Sequence, residues 1–112
     1  MVAPGRAMTE SEFNARVDET LLLIERSLEA SDADIDFEST AGILEIEFAD
    51  GSRIIVNRQT PNREIWVAAR SGGFHFALKN EAWRGTRDDR ELFEVLSQCV
   101  SLQAGMPVQI TR

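Results

Sequence analysis

Asn57-Arg58-Gln59-Thr60-Pro61-Asn62-Arg63-Glu64-Ile65-Trp66 joins two short apolar runs, Arg53 to Val56 before it and Ile65 to Ala69 after it. Pro61-Asn62 is turn chemistry, because proline presets φ and asparagine accepts a tight bend. The flanking runs are short and rich in β-branched residues, which predicts a strand, a turn and a strand. Trp66 alternates with Ile65 and Val67, so if those two face a core, the indole faces away from it. Asn57 and Gln59 place amides beside it. A large aromatic among amides on the open face of a sheet reads as a contact surface. The plainer reading is a capped hairpin whose tryptophan folds over a neighbour.

The same alternation continues on both sides. Ile35 and Phe37 alternate with Asp34, Asp36 and Glu38, and Leu44, Ile46 and Phe48 alternate with Ile43, Glu45 and Glu47. Asp50-Gly51 is the strongest hairpin signal, and Arg53 to Val56 follows it. After Ser71-Gly72-Gly73, Phe74, Phe76 and Leu78 share one side of a further strand, and Trp83 belongs to the core or its edge. Connections this short predict an antiparallel sheet. A helix is predicted at each end. Phe13, Val17, Leu21, Ile24 and Leu28 form an apolar face from about Thr9 to Ala30, with Thr9 or Ser11 as cap and Glu10 and Glu12 in the first turn. The last helix is expected to be capped by Asp88 with Glu91 in capping-box position, to bury Leu92, Val95, Leu96, Cys99 and Leu102, and to stop at Gly105 and Pro107. The expected fold is α+β: a two-layer sandwich with both terminal helices on one face of an antiparallel sheet of five to six strands.

A chain of 112 residues makes one domain, taken as residues 9–112. Residues 1–8 read as a disordered extension, an alternative start or an expression remnant. No apolar run approaches membrane-spanning length, and Met1 to Ala7 lacks the apolar centre of a signal peptide, so the expected location is cytoplasmic. The single cysteine, Cys99, excludes internal disulfides and cysteine-based metal sites, and its place on a helix face predicts a buried thiol. Of the 19 acids, 13 fall in residues 1–50 against three arginines, while residues 51–112 carry a small positive excess. The resulting field repels nucleic acid and anionic lipid and attracts cations and basic protein surfaces.

Asp18, Glu25, Glu29 and Asp32 stand seven, four and three residues apart, which places them within a helical stripe about 60° wide. The chain runs on into Asp34, Asp36 and Glu38, which share a strand face. Helix edge and strand together make a carboxylate ridge. The plain reading is a solvated face, but like charges this close oppose folding and Arg26 is the only base within the run. A calcium loop does not fit: counted from Asp32, Phe37 stands where glycine is needed and Ile43 where the bidentate glutamate is needed. Counted from Asp34, Glu45 fits but Ser39 replaces the glycine. Exposed carboxylates without thiolate or imidazole suit hard cations, held weakly. His75, the only histidine, is expected opposite Phe74 and Phe76 as a surface residue rather than a ligand. No serine–histidine–acid set or phosphate loop is visible, so catalysis is not expected.

Asn57-Arg58-Gln59-Thr60-Pro61 followed by Ile65-Trp66 resembles the central signature of the frataxin family, and Gly72-Gly73-Phe74-His75-Phe76 resembles the next strand of its bacterial members. The similarity runs from about Ser11 to about Val108. The resemblance implies the frataxin fold and a role in iron–sulfur cluster assembly, regulating cluster formation or supplying iron. It implies that Asp18, Glu25, Glu29, Asp32, Asp34, Asp36 and Glu38 bind iron, Fe(II) or Fe(III), weakly and with other divalent cations as competitors. It also implies that Asn57, Gln59 and Trp66 meet a cysteine desulfurase and its scaffold protein, the chain being a monomer or an iron-dependent oligomer. An acidic adapter with incidental metal binding is the alternative.

Overall fold

The computed structural model describes residues 8–112. Residues 1–7 of the expected extension lie outside them, while Met8 is half-buried against the core. Helix α1 (Glu10–Ala30) is followed by β1 (Ile35–Thr40), β2 (Ile43–Phe48), β3 (Arg53–Gln59), a 3-10 turn (Thr60–Asn62), β4 (Glu64–Ala69), β5 (Gly72–Lys79), β6 (Ala82–Gly85) and α2 (Leu92–Ala104). The six strands form one antiparallel sheet in chain order. Both helices cover one face, the arrangement that the alternation predicts.

Thr9 caps α1 through a complete capping box: its hydroxyl accepts from the Glu12 N–H, and the Glu12 carboxylate accepts from the Thr9 N–H. Phe13, Val17, Leu21, Ile24 and Leu28 are all buried, against Leu44, Ile46, Ile54, Val56, Ile65, Val67 and Phe76 from the sheet. Trp83 closes one side, edge-on to Phe13 at 6.0 Å, and its indole N–H donates to the buried Thr20 hydroxyl at 2.9 Å.

Helix α2 departs from expectation at both ends. Its cap is Glu91, whose carboxylate accepts from the N–H groups of Phe93 and Glu94. Asp88 instead accepts from the Arg90 N–H in a turn that Gly85 and Arg90 tie back to β6, so the helix begins later. At the other end Leu102 is exposed and Gln103 is buried. The buried arc runs through Leu92, Val95, Leu96, Cys99 and Val100; at 100° per residue it reaches position 103 and leaves position 102 outside. Gln103 uses its burial well. It donates to Ser52 Oγ and the Arg53 carbonyl and accepts from the Arg70 N–H, joining two hairpin ends to the helix.

Asp50-Gly51 forms the expected turn, with Gly51 at φ +84°. The Ser52 hydroxyl above all, then Arg70 and the Ser52 N–H, hold the Asp50 carboxyl well below the usual carboxylate range. A depressed folded-state value stabilises above the unfolded carboxylate range and is lost as pH falls through the acid range. The melting-temperature gap between the wild type and Asp50→Asn should therefore stay level from neutral pH to about pH 5 and narrow from there to about pH 3. A gap that stays constant in a pH series of thermal melts would contradict this.

Candidate functional site

The sheet face turned away from the helices holds the candidate site. Strand register orders it into rows. Asp36 stands opposite Glu47, and Glu38 opposite Glu45. Next along β2, Ile43 faces Asn57, Asn57 faces Trp66, and Trp66 faces His75. Acids thus occupy the β1–β2 side of the face, and the amide and aromatics run beside them across β3, β4 and β5.

The expected residues divide in three. Asp36 and Glu38 lie exposed on β1, while Ile35 and Phe37 turn inward to the core, as the period of two requires. Asp34 precedes the strand, and with Asp36 and Glu47 it lines a groove of about 320 Å³ that Phe48, Ala49 and Gly51 complete. Glu25 and Glu29 lie on the last turns of α1, with Asp32 beyond them; Glu25 is half-buried and the other two are exposed. Asp18 is set apart: it is ion-paired with Arg58, which also donates to Asn14 at 2.9 Å. Arg58 lies on the inner side of β3, and its N–H bonds the Gly42 carbonyl at the β1–β2 turn. Asp36 and Glu38 thus carry the acids of β1, while Asp18 on α1 is already neutralised by Arg58.

Glu45 and Glu47 complete the acidic patch, and the sequence reading left them out. Their alternation with Leu44, Ile46 and Phe48 placed them on the outer face, but only the register brings them against Glu38 and Asp36. Arg53 is the one base that bridges them, at 3.3 Å from Glu45 and 3.4 Å from Glu47. Like charges directly opposite on a sheet oppose its pairing, and here two such pairs adjoin. Among the described residues no three of His, Cys, Asp and Glu converge into a metal cage. The side chains of the patch are carboxylates, oxygen donors of the type that hard cations prefer.

Trp66 is half-buried. Its ring stacks on His75 at 4.2 Å with 7° between planes, and its N–H donates to Glu64 Oε1 at 2.8 Å. Asn57 flanks it directly, whereas Gln59 stands one row further, opposite Glu64. His75 occupies the outer face as expected, half-exposed. Its stacking was not legible in the sequence, since β4–β5 register alone sets it against Trp66.

The chain is similar to known proteins. A family model described as a frataxin-like domain matches residues 6–106. A protein from Dechloromonas aromatica named iron-sulfur cluster assembly protein CyaY is 58% identical over 99 residues, covering 88% of this chain and 94% of its own length. A protein of the same name from Janthinobacterium sp. is 53% identical over 106 residues, covering 90% and 95%. Among solved structures, frataxin from Psychromonas ingrahamii superposes with a TM-score of 0.88 at 31% identity, over 94% of this chain and all of that one. Trimeric frataxin from the yeast Saccharomyces cerevisiae, complexed with ferrous iron, gives a TM-score of 0.66 at 26% identity over 93% of both chains. With the signature strands, the two-helix sandwich and the family match agreeing, the chain belongs to the frataxin family.

Proposed function

We propose that this chain serves iron–sulfur cluster assembly by binding, with no catalytic step of its own: weakly bound iron and the cysteine desulfurase–scaffold complex meet on the outer sheet face. The observation that carries this is the pair of like-charged rows, Asp36–Glu47 and Glu38–Glu45, beside the outer-face Asn57–Trp66–His75 row. Relatives at more than half identity bear the name iron-sulfur cluster assembly protein. Glu25, Glu29, Asp32 and Asp34 extend the negative surface, with iron as cargo that keeps most of its water. No described helix is long and apolar enough to cross a membrane, and the proposal places the protein in the cytoplasm, as a monomer until iron is bound.

Charge steers a basic partner surface toward β1–β2, and the amide and indole then fix the register of docking. Aromatic side chains centred in such surfaces dominate binding energy. Trp66→Ala should weaken binding to a purified cysteine desulfurase by about 30-fold, equivalent to the 2 kcal/mol of an interface anchor, with far-UV circular dichroism unchanged. Binding within about two-fold of wild type would remove Trp66 from the interface.

The open donor set favours a second reading, an acidic adapter for which metal is incidental. It predicts undiminished desulfurase binding after complete metal removal. A ferroxidase activity, by contrast, would require Fe(II) oxidation with turnover.

A further inference from the structure

Glu64, Trp66 and His75 form a unit more specific than an exposed aromatic. Glu64 Oε1 takes the indole N–H at 2.8 Å and lies 3.8 Å from His75 Nδ1, while the imidazole lies parallel to the indole at 4.2 Å. One carboxylate oxygen thus faces both rings. We propose that these three residues form a proton-sensitive clamp, in which a protonated His75 fixes the Trp66 indole against the imidazole and so strengthens docking of the partner. The docking consequence rests on the function proposed above.

Imidazolium differs from imidazole here in two ways. It presents an Nδ1–H donor to a carboxylate, where the neutral ring offers a lone pair or a weaker donor. It also lays a cation over an indole face, which attracts it electrostatically. Both effects hold the rings together while His75 carries its second proton and are lost when that proton leaves. Other charges around His75 are more distant or already engaged. Lys79 follows on the same strand and pairs with Asp89; Arg84 projects from β6 one row away; Arg87 and Asp88 share the groove that His75 borders. From β3 the neighbours are the neutral amides of Asn57 and Gln59. Glu64 is the only acid in ion-pair range of the ring, and its side chain is 19% exposed, so solvent competes little for it.

A single histidine makes the test direct. The Trp66 Nε1–H resonance of the full chain is followed by NMR from about pH 5.5 to 8, in the wild type, His75→Gln and Glu64→Gln. The expected result is a wild-type indole titration that tracks the His75 ring protons. It should be absent in His75→Gln, which also separates it from the α-amino group, and be reduced in Glu64→Gln. Wild-type desulfurase affinity should be about two- to five-fold higher at the acid end, and the dependence should vanish in His75→Gln. An indole resonance that stays fixed while His75 titrates overturns the clamp. So does an indole that titrates while affinity does not follow and Trp66→Ala still weakens docking. If Trp66→Ala leaves docking intact, the docking role of the clamp falls together with that of Trp66, while the NMR titration still decides the clamp itself.

Discussion

Combining Asp36→Asn, Glu38→Gln, Glu45→Gln and Glu47→Gln is expected to raise stability while lowering affinity for both Fe(II) and the desulfurase. The two effects have opposite signs and a common cause. Each like-charged cross-strand pair opposes sheet pairing by about 0.2–1 kcal/mol, so removing both pairs should add up to about 2 kcal/mol. Arg53 loses two partners but is 56% exposed, so water replaces them at little cost. Affinity for either ligand should fall by about tenfold or more, the 1.4 kcal/mol that a modest electrostatic contribution represents. Urea denaturation and calorimetric titration read the two sides. A solvated face without a role would show the gain in stability and no loss of binding, and that outcome would overturn the functional reading of the patch.

Truncation after Met106 is expected to cost more than any single surface change. Residues 107–112 run back along α2 toward α1, burying Val108 and Ile110. Three serines bind this tail through its backbone: Ser101 to Val108, Ser97 to Ile110, and Ser27 of α1 to Thr111, each both donating and accepting. Ile110→Ala alone should destabilise by about 2–5 kcal/mol. The truncation adds the burial of Val108 and the loss of six hydrogen bonds, in a domain whose total stability is of the order of 5–15 kcal/mol. We expect the truncated chain to be largely unfolded at 37 °C by circular dichroism. An unfolding free energy from urea denaturation within about 1 kcal/mol of the full chain would show that the tail is dispensable.

Elements fixed by one period of alternation were legible from residues alone. Phe13 to Leu28 specified α1, the alternating runs specified the strands, and Asp50-Gly51 specified its turn, because each signal is local. The β1–β2 turn was missed. Ala41 and Gly42 both adopt positive φ, and an alanine there gives no left-handed signal. Asp88 was misread for a related reason: an acid three residues before Glu91 satisfies the capping pattern, but the Gly85–Arg90 hydrogen bond holds that segment to β6. The site was half legible. Spacing grouped the acids from Asp18 to Glu38 as a candidate ridge, whereas the Arg58 pairing of Asp18, the addition of Glu45 and Glu47, and the Trp66–His75 stack depend on which strands meet and in what register. No spacing within one segment encodes that.

The central claim is that one sheet face serves both iron and the assembly partner. Its most direct test is an NMR titration of the labelled chain with Fe(II) under anaerobic conditions, repeated with the purified cysteine desulfurase. The account predicts that Fe(II) broadens signals of Asp34, Asp36, Glu38, Glu45 and Glu47, and that the desulfurase perturbs these together with Asn57, Trp66 and His75. Perturbation by the desulfurase confined to α2 and the tail, with the β1–β2 acids silent to both ligands, would contradict it.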